Sequence, residues 1–342
     1  KTLELLPEGW HLDPNRLSFL RRLWLNYPDR LKDEAAFWDR FFSAPPSSGL
    51  PARLYASLLW GCTAVFPALA QRAVDALSIL YCADDKDKQI AECYTNGLFI
   101  LSCDQSSEDT AVTVNQLKDL YDAHSDNTEV AGLYAKGLFN LAYKQSPEER
   151  ISTAEQLETL YKDHPAQQEI AVAYAQGLLT LLLNEQQKDT SAIVDRQKDL
   201  YDAHSDKAEI AVAYAFALVK LSYSQSPEDT AVTVDRLKDL YDDHSEDTEV
   251  AGLYAKGLGN LACDQSPEDR ADTVERLREL HGAHSENTEV VVEYAKGLVN
   301  LSYDQPLEDC ATTVERLKDL YDAHSENAEV AVRYAKGLFN LS

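Results

Sequence analysis

Residues 111–140 read AVTVNQLKDLYDAHSDNTEVAGLYAKGLFN, and residues 231–260 read AVTVDRLKDLYDDHSEDTEVAGLYAKGLGN. The two stretches are 120 residues apart yet identical at 24 of 30 positions. The chain also matches itself without gaps at a displacement of 40, from about residue 66 to residue 342, so the repeat is the unit in which it must be read. Each period holds two helical patterns. In one, Val250, Ala251, Tyr254, Ala255, Leu258 and Leu261 recur at three- and four-residue spacing, which places them on one helix face. In the other, Val234, Leu237, Leu240 and Tyr241 form the apolar stripe.

The second pattern carries its own start signal. Ser226-Pro227-Glu228-Asp229 supplies a hydroxyl at the N-cap, a proline at the first helical position, and acids where the helix dipole favours negative charge. Ser146-Pro147-Glu148-Glu149 and Ser266-Pro267-Glu268-Asp269 repeat it. The far end is marked by a His and a short polar turn, as in His244-Ser245-Glu246-Asp247. No stretch reads as a strand. A helical hairpin of this kind can bury its apolar faces only against its neighbours, which predicts an all-α chain, an α-solenoid of antiparallel helix pairs.

Composition divides the chain unevenly. Of 342 residues, 58 are Asp or Glu and 32 Lys or Arg, a net charge of −26. Residues 1–60 hold eight basic and seven acidic side chains, whereas residues 61–342 hold 24 against 51. Without a basic patch, nucleic acid and anionic membrane are excluded as partners. All four Trp (Trp10, Trp24, Trp38, Trp60) also fall in the first 60 residues. The six Cys form no C-x-x-C pair and read as reduced thiols, and there is neither a signal peptide nor an apolar run of membrane length. The expectation is a soluble cytoplasmic segment, cut from something longer.

The residues resemble the tetratricopeptide repeat family. The best match runs from His164 through Pro165 to Leu178: Pro165 stands where that family closes its second helix, and Ala171, Tyr174, Ala175 and Leu178 fall at its first-helix signature positions. Ile193 and Leu200, or Thr233 and Leu240 in another unit, take second-helix packing slots. The period departs from the family's 34 residues, the usual first-helix aromatic is Ala or Val, and the closing proline is mostly Ser. The resemblance covers residues 88–342 and implies a right-handed superhelix whose first helices line a concave groove. The expected organisation is a Trp-rich helical cap at 1–50 with a linker at Pro45–Gly49, then an array over 51–342. That array has a degenerate unit at 51–87, units of 40 residues from 88, and a lone first helix at 328–342. That last helix lacks a capping partner, so its edge is expected to meet further repeats or another chain.

Candidate chemistry is sparse. His124, His164, His204, His244, His284 and His324 recur one period apart, on the order of 15–20 Å on stacked hairpins, too far to share a metal. They read as donors near helix C-terminal carbonyls. His281 and His284 form a weak metal pair, and Asp84-Asp85-Lys86-Asp87-Lys88 lacks the glycine and later Glu of a calcium loop. Phosphate-loop, dinucleotide, zinc-protease and serine-hydrolase motifs are absent, so no cofactor, metal or catalytic residue is expected.

A polar ladder on the first helices is more informative. Lys136 and Asn140, Lys256 and Asn260, Lys296 and Asn300, and Lys336 and Asn340 are each four residues apart; Gln176 with Thr180 and Phe216 with Lys220 occupy the same slots. By the resemblance these face the groove, beside a variable column of Phe139, Leu179, Val219, Gly259, Val299 and Phe339. The expected function is a non-enzymatic scaffold that binds a protein or peptide with acidic groups or a free C-terminus. The alternative is a regulatory arm of a larger NTPase or protease effector. A ladder of solvated Lys and Asn that duplication merely copied weighs equally against a binding role.

Overall fold

The structure, a computed structural model, describes residues 22, 35–43, 49–183, 189–303 and 305–341. Among them every regular element is helical. Contacts divide the chain into two compact units, Lys1–Gly177 and Leu178–Ser342.

The first unit contains α1 (Ala35–Ser43), α2 (Gly49–Val65), α3 (Ala70–Ala83), α4 (Lys88–Asp104), α5 (Ser107–Ala123), α6 (Thr128–Lys144), α7 (Pro147–Asp163) and the start of α8 (Gln168–Leu182). Phe37, Trp38 and Phe41 of α1 are buried. Trp38 packs on Phe66 and Phe41 on Tyr55, whose hydroxyl donates to the Phe41 carbonyl at 2.7 Å. Trp10, Trp24 and most of the expected linker lie outside the described residues. Gly49 opens α2 with φ +74°, a left-handed backbone for which a side chain would be strained.

The second unit contains the end of α8, then α9 (Thr190–Ala203), α10 (Ala208–Ser222), α11 (Pro227–Asp243), α12 (Thr248–Asp264), α13 (Pro267–Ala283), α14 (Thr288–Ser302), α15 (Leu307–Ala323) and α16 (Ala328–Leu341). Within each unit the plan is the same. A first helix such as α6 or α12 packs on the second helix of its own pair, on the preceding second helix, and on a neighbouring first helix.

Caps set the helix bounds. Ser226 accepts from the Asp229 N–H at 3.2 Å, Ser266 from that of Asp269 at 3.3 Å, and Ser146 forms a capping box with Glu149. The first helices have their own caps, which the polar-turn reading overlooked: Asn127, Asp247 and Asn287 each accept two backbone N–H groups of the following turn. The core is built from an interlock. Leu237, fully buried, projects into a notch at Gly257, where an added Cβ would stand 2.5 Å from its Cδ1; Leu117 and Gly137 repeat this in the first unit at 2.6 Å.

The recurrent His has a different role from the one its position suggested. The backbone N–H of His244 bonds the Leu240 and Tyr241 carbonyls, so the helix end is closed by main chain. The ring serves the contact between pairs: Tyr121 Oη lies 3.0 Å from His164 Nε2, and Tyr241 Oη 3.0 Å from His284 Nε2. His281 replaces the Tyr at one such joint and packs on His324 with ring centroids 6.0 Å apart. Burial, and then the neighbouring His324, hold the His281 pKa below 6.5. A depressed His pKa means that the unfolded chain takes up the proton first, so stability is lost as pH falls from 6.5 through the folded value. His281→Tyr should therefore add little at pH 7.5 and progressively more stability at lower pH, read as the pH dependence of the urea midpoint. Parallel pH profiles for variant and parent would exclude this joint as an acid-sensitive contact.

Candidate functional site

The ladder residues sit on the first helices, and the structure divides them by role. The asparagines are engaged between helices. Asn140 Nδ2 donates to Ser102 Oγ at 3.2 Å, Asn260 to Ser222 Oγ at 2.9 Å, Asn340 to Ser302 Oγ at 2.8 Å, and Asn300 to Cys263 Sγ at 3.5 Å. Each bond joins one first helix to the first helix before it. The amide donors expected to meet a peptide are thus used in stacking the repeats.

The lysines are divided. Lys256 Nζ pairs with Glu289 of the next first helix at 3.2 Å; Lys296 pairs with Glu293 at 2.7 Å and lies 3.9 Å from Glu329. At Lys256 and Lys296 the ladder is therefore a mixed-charge face. α12, α14 and α16 each bring an acid in the first turn, and stacking sets Glu289 of α14 beside Lys256 and Glu329 of α16 near Lys296. Lys136 and Lys336, both exposed, form no ion pair among the described residues. Lys220, also exposed, lies over the Phe216 ring at 5.6 Å. Gln176 is half-buried, whereas Thr180 is buried. Val219, Gly259 and Val299 of the adjacent column are buried too, while Phe339 is exposed.

Sequence reading missed Glu293. Its slot holds Leu133, Ala173, Ala213 and Leu253 in the four preceding units and Arg333 in the last helix, and a lone acid after a run of small or apolar residues was the signal available. The carboxylate occupies the space left by Gly259, where an added Cβ would fall on Glu293 Oε2. Burial raises the Glu293 pKa despite the Lys296 bond. The pair is internally matched and presents no free donor or acceptor pair to a ligand.

The first unit retains an open site. A cleft of about 510 Å³ is lined by Asn96, Glu129, Lys136, Gln167, Gln168 and Glu169, with Gly132 and Leu133 at its floor. Asn96 Nδ2 donates to Glu129 Oε1 at 3.2 Å, occupying one acid and leaving the Lys136 ammonium available at the wall. Gly132 keeps the floor low: an added Cβ would meet Glu169 Cβ at 3.6 Å. Among the described residues there is no group of three or more His, Cys, Asp or Glu able to hold a metal, and no helix long and apolar enough to cross a membrane. No family model matches the chain, and a search of curated proteins likewise found no match.

Proposed function

We propose that the chain is a non-enzymatic interaction scaffold: a right-handed, tetratricopeptide-like superhelix that holds a protein or peptide against its first helices. The observation that carries this reading is the cleft at Lys136, where an exposed ammonium without an ion pair stands among side-chain amides that can bond an extended backbone. An acidic side chain or a free C-terminal carboxylate is the matching group. Lys256 and Lys296 support the reading less, since each already has an acid of its own.

The test follows from that division. On an array of acidic peptides with free C-termini, Lys136→Glu should weaken every bound peptide by about tenfold, the effect of a lost charge-assisted bond of roughly 1.4 kcal/mol. The thermal midpoint should stay near the parent value, because exposed Lys136 supports no contact of the fold. Equal binding by variant and parent would remove the cleft from consideration.

A further inference from the structure

α16 is less covered than the first helices before it. α14 packs on α12, α13, α15 and α16, whereas α16 packs on α14 and α15. Matched slots record the difference. Ala295 and Leu298 of α14 are fully buried and Val292 is 6% exposed; Ala335 of α16 is exposed, Leu338 is 45% exposed and Val332 52%. Val330 and Gly337 stay buried, Gly337 against Leu317 of α15. The open flank of α16 is therefore the one that, on α14, the second helix α15 and the following first helix cover. The second unit also shows what such a flank accepts. Arg276 of α13 donates to the Tyr254 hydroxyl of α12 at 3.2 Å, its guanidinium 5.8 Å from the ring centroid, and Arg236 of α11 bonds Tyr214 of α10. On α13 that Arg lies within the buried stripe of Thr273, Val274, Leu277 and Leu280. Tyr334 holds the matching slot of α16, stacked on Tyr321 at 5.5 Å, and is half-buried where Tyr254 is 4% exposed.

We propose that this flank docks an amphipathic helix of the second-helix type, supplied by a partner polypeptide and bearing the pattern Thr-Val-x-Arg-Leu-x-x-Leu. Its apolar residues cover Ala335 and Leu338, and its arginine reaches the Tyr334 hydroxyl as Arg276 reaches Tyr254. The interface continues one that the chain already forms between α12 and α13 and between α14 and α15. A second copy is a poor source of the helix. The stripes of α11, α13 and α15 are buried in the array, so a copy releases one only by opening its fold. The site lies in the second unit and does not depend on the Lys136 cleft.

The probe is a fluorescein-labelled peptide of residues 226–244, which carries the stripe and Arg236, titrated with the 342-residue chain and read by anisotropy. Leu338→Asp should weaken binding at least tenfold, because a carboxylate replaces an apolar side chain that docking buries. Val332→Asp, at a second exposed position of the flank, should act alike. Val232→Asp, at a position 57% exposed on α11, should change binding less than twofold. All three chains should keep thermal midpoints near the parent value, since the substituted side chains are exposed. In the peptide, Val234→Asp/Leu240→Asp should abolish binding and Arg236→Ala should weaken it at least threefold. Four results would overturn the proposal: a parent peptide that does not saturate, equal binding by the parent chain and Leu338→Asp, an Arg236→Ala peptide that binds undiminished, or self-association of the chain alone that Leu338→Asp abolishes. The last would make a second copy the occupant.

Discussion

Leu237→Ala is expected to destabilise the second unit by about 2–5 kcal/mol, measured as a fall in the urea midpoint. Leu237 is fully buried and its Cδ1 fills the notch left by Gly257, so truncation opens a cavity at the contact between α11 and α12. The notch gives the experiment its control. Gly257→Ala alone should change stability by less than about 1 kcal/mol, because the helix gains propensity while Leu237 must shift, and Ala217 already occupies the matching slot of another unit. The double variant should be more stable than Leu237→Ala, since the new methyl enters the vacated space. Strict additivity of the two changes would show that the residues do not interlock.

Lys296→Met should cost about 2 kcal/mol at pH 8, somewhat below the usual range for a broken buried pair because Lys296 is 33% exposed. Removal of the ammonium leaves the Glu293 carboxylate buried without its partner, and its pKa, already raised by burial, rises further. A carboxyl with a raised folded pKa holds its proton more firmly in the native state. Its contribution is full below the unfolded value and lost as pH rises through the folded one. The deficit should therefore shrink at pH 5 and grow towards pH 8. Glu293→Leu restores an apolar residue of the type found at Leu133 and Leu253, and should lie within about 1 kcal/mol of the parent at pH 7. A Lys296→Met deficit that does not vary with pH would assign the loss to packing of the Lys stem rather than to charge.

Much of the architecture was legible because it is local. Ser226-Pro227-Glu228-Asp229 marks a helix start in any context, and the spacing of Val250, Tyr254, Leu258 and Leu261 marks a buried face; the structure places α11 and α12 accordingly. The ladder was legible as a set of positions and misread as a set of free groups. Lys256 meets an acid 33 residues ahead, and Asn260 a hydroxyl 38 residues behind, separations that no single-helix pattern contains.

The amino-acid sequence by itself determined that this chain is all-α and built from helix pairs of a 40-residue period, because capping, proline placement and apolar spacing act within one or two turns of backbone. Only the tertiary structure decided which charges remain available. The stacking of successive first helices joins Lys256 to Glu289 of the next repeat but leaves Lys136 without an ion pair among the described residues. An ion pair is settled by the distance between two side chains across an interface of helices, and that distance exists only once the repeats are packed.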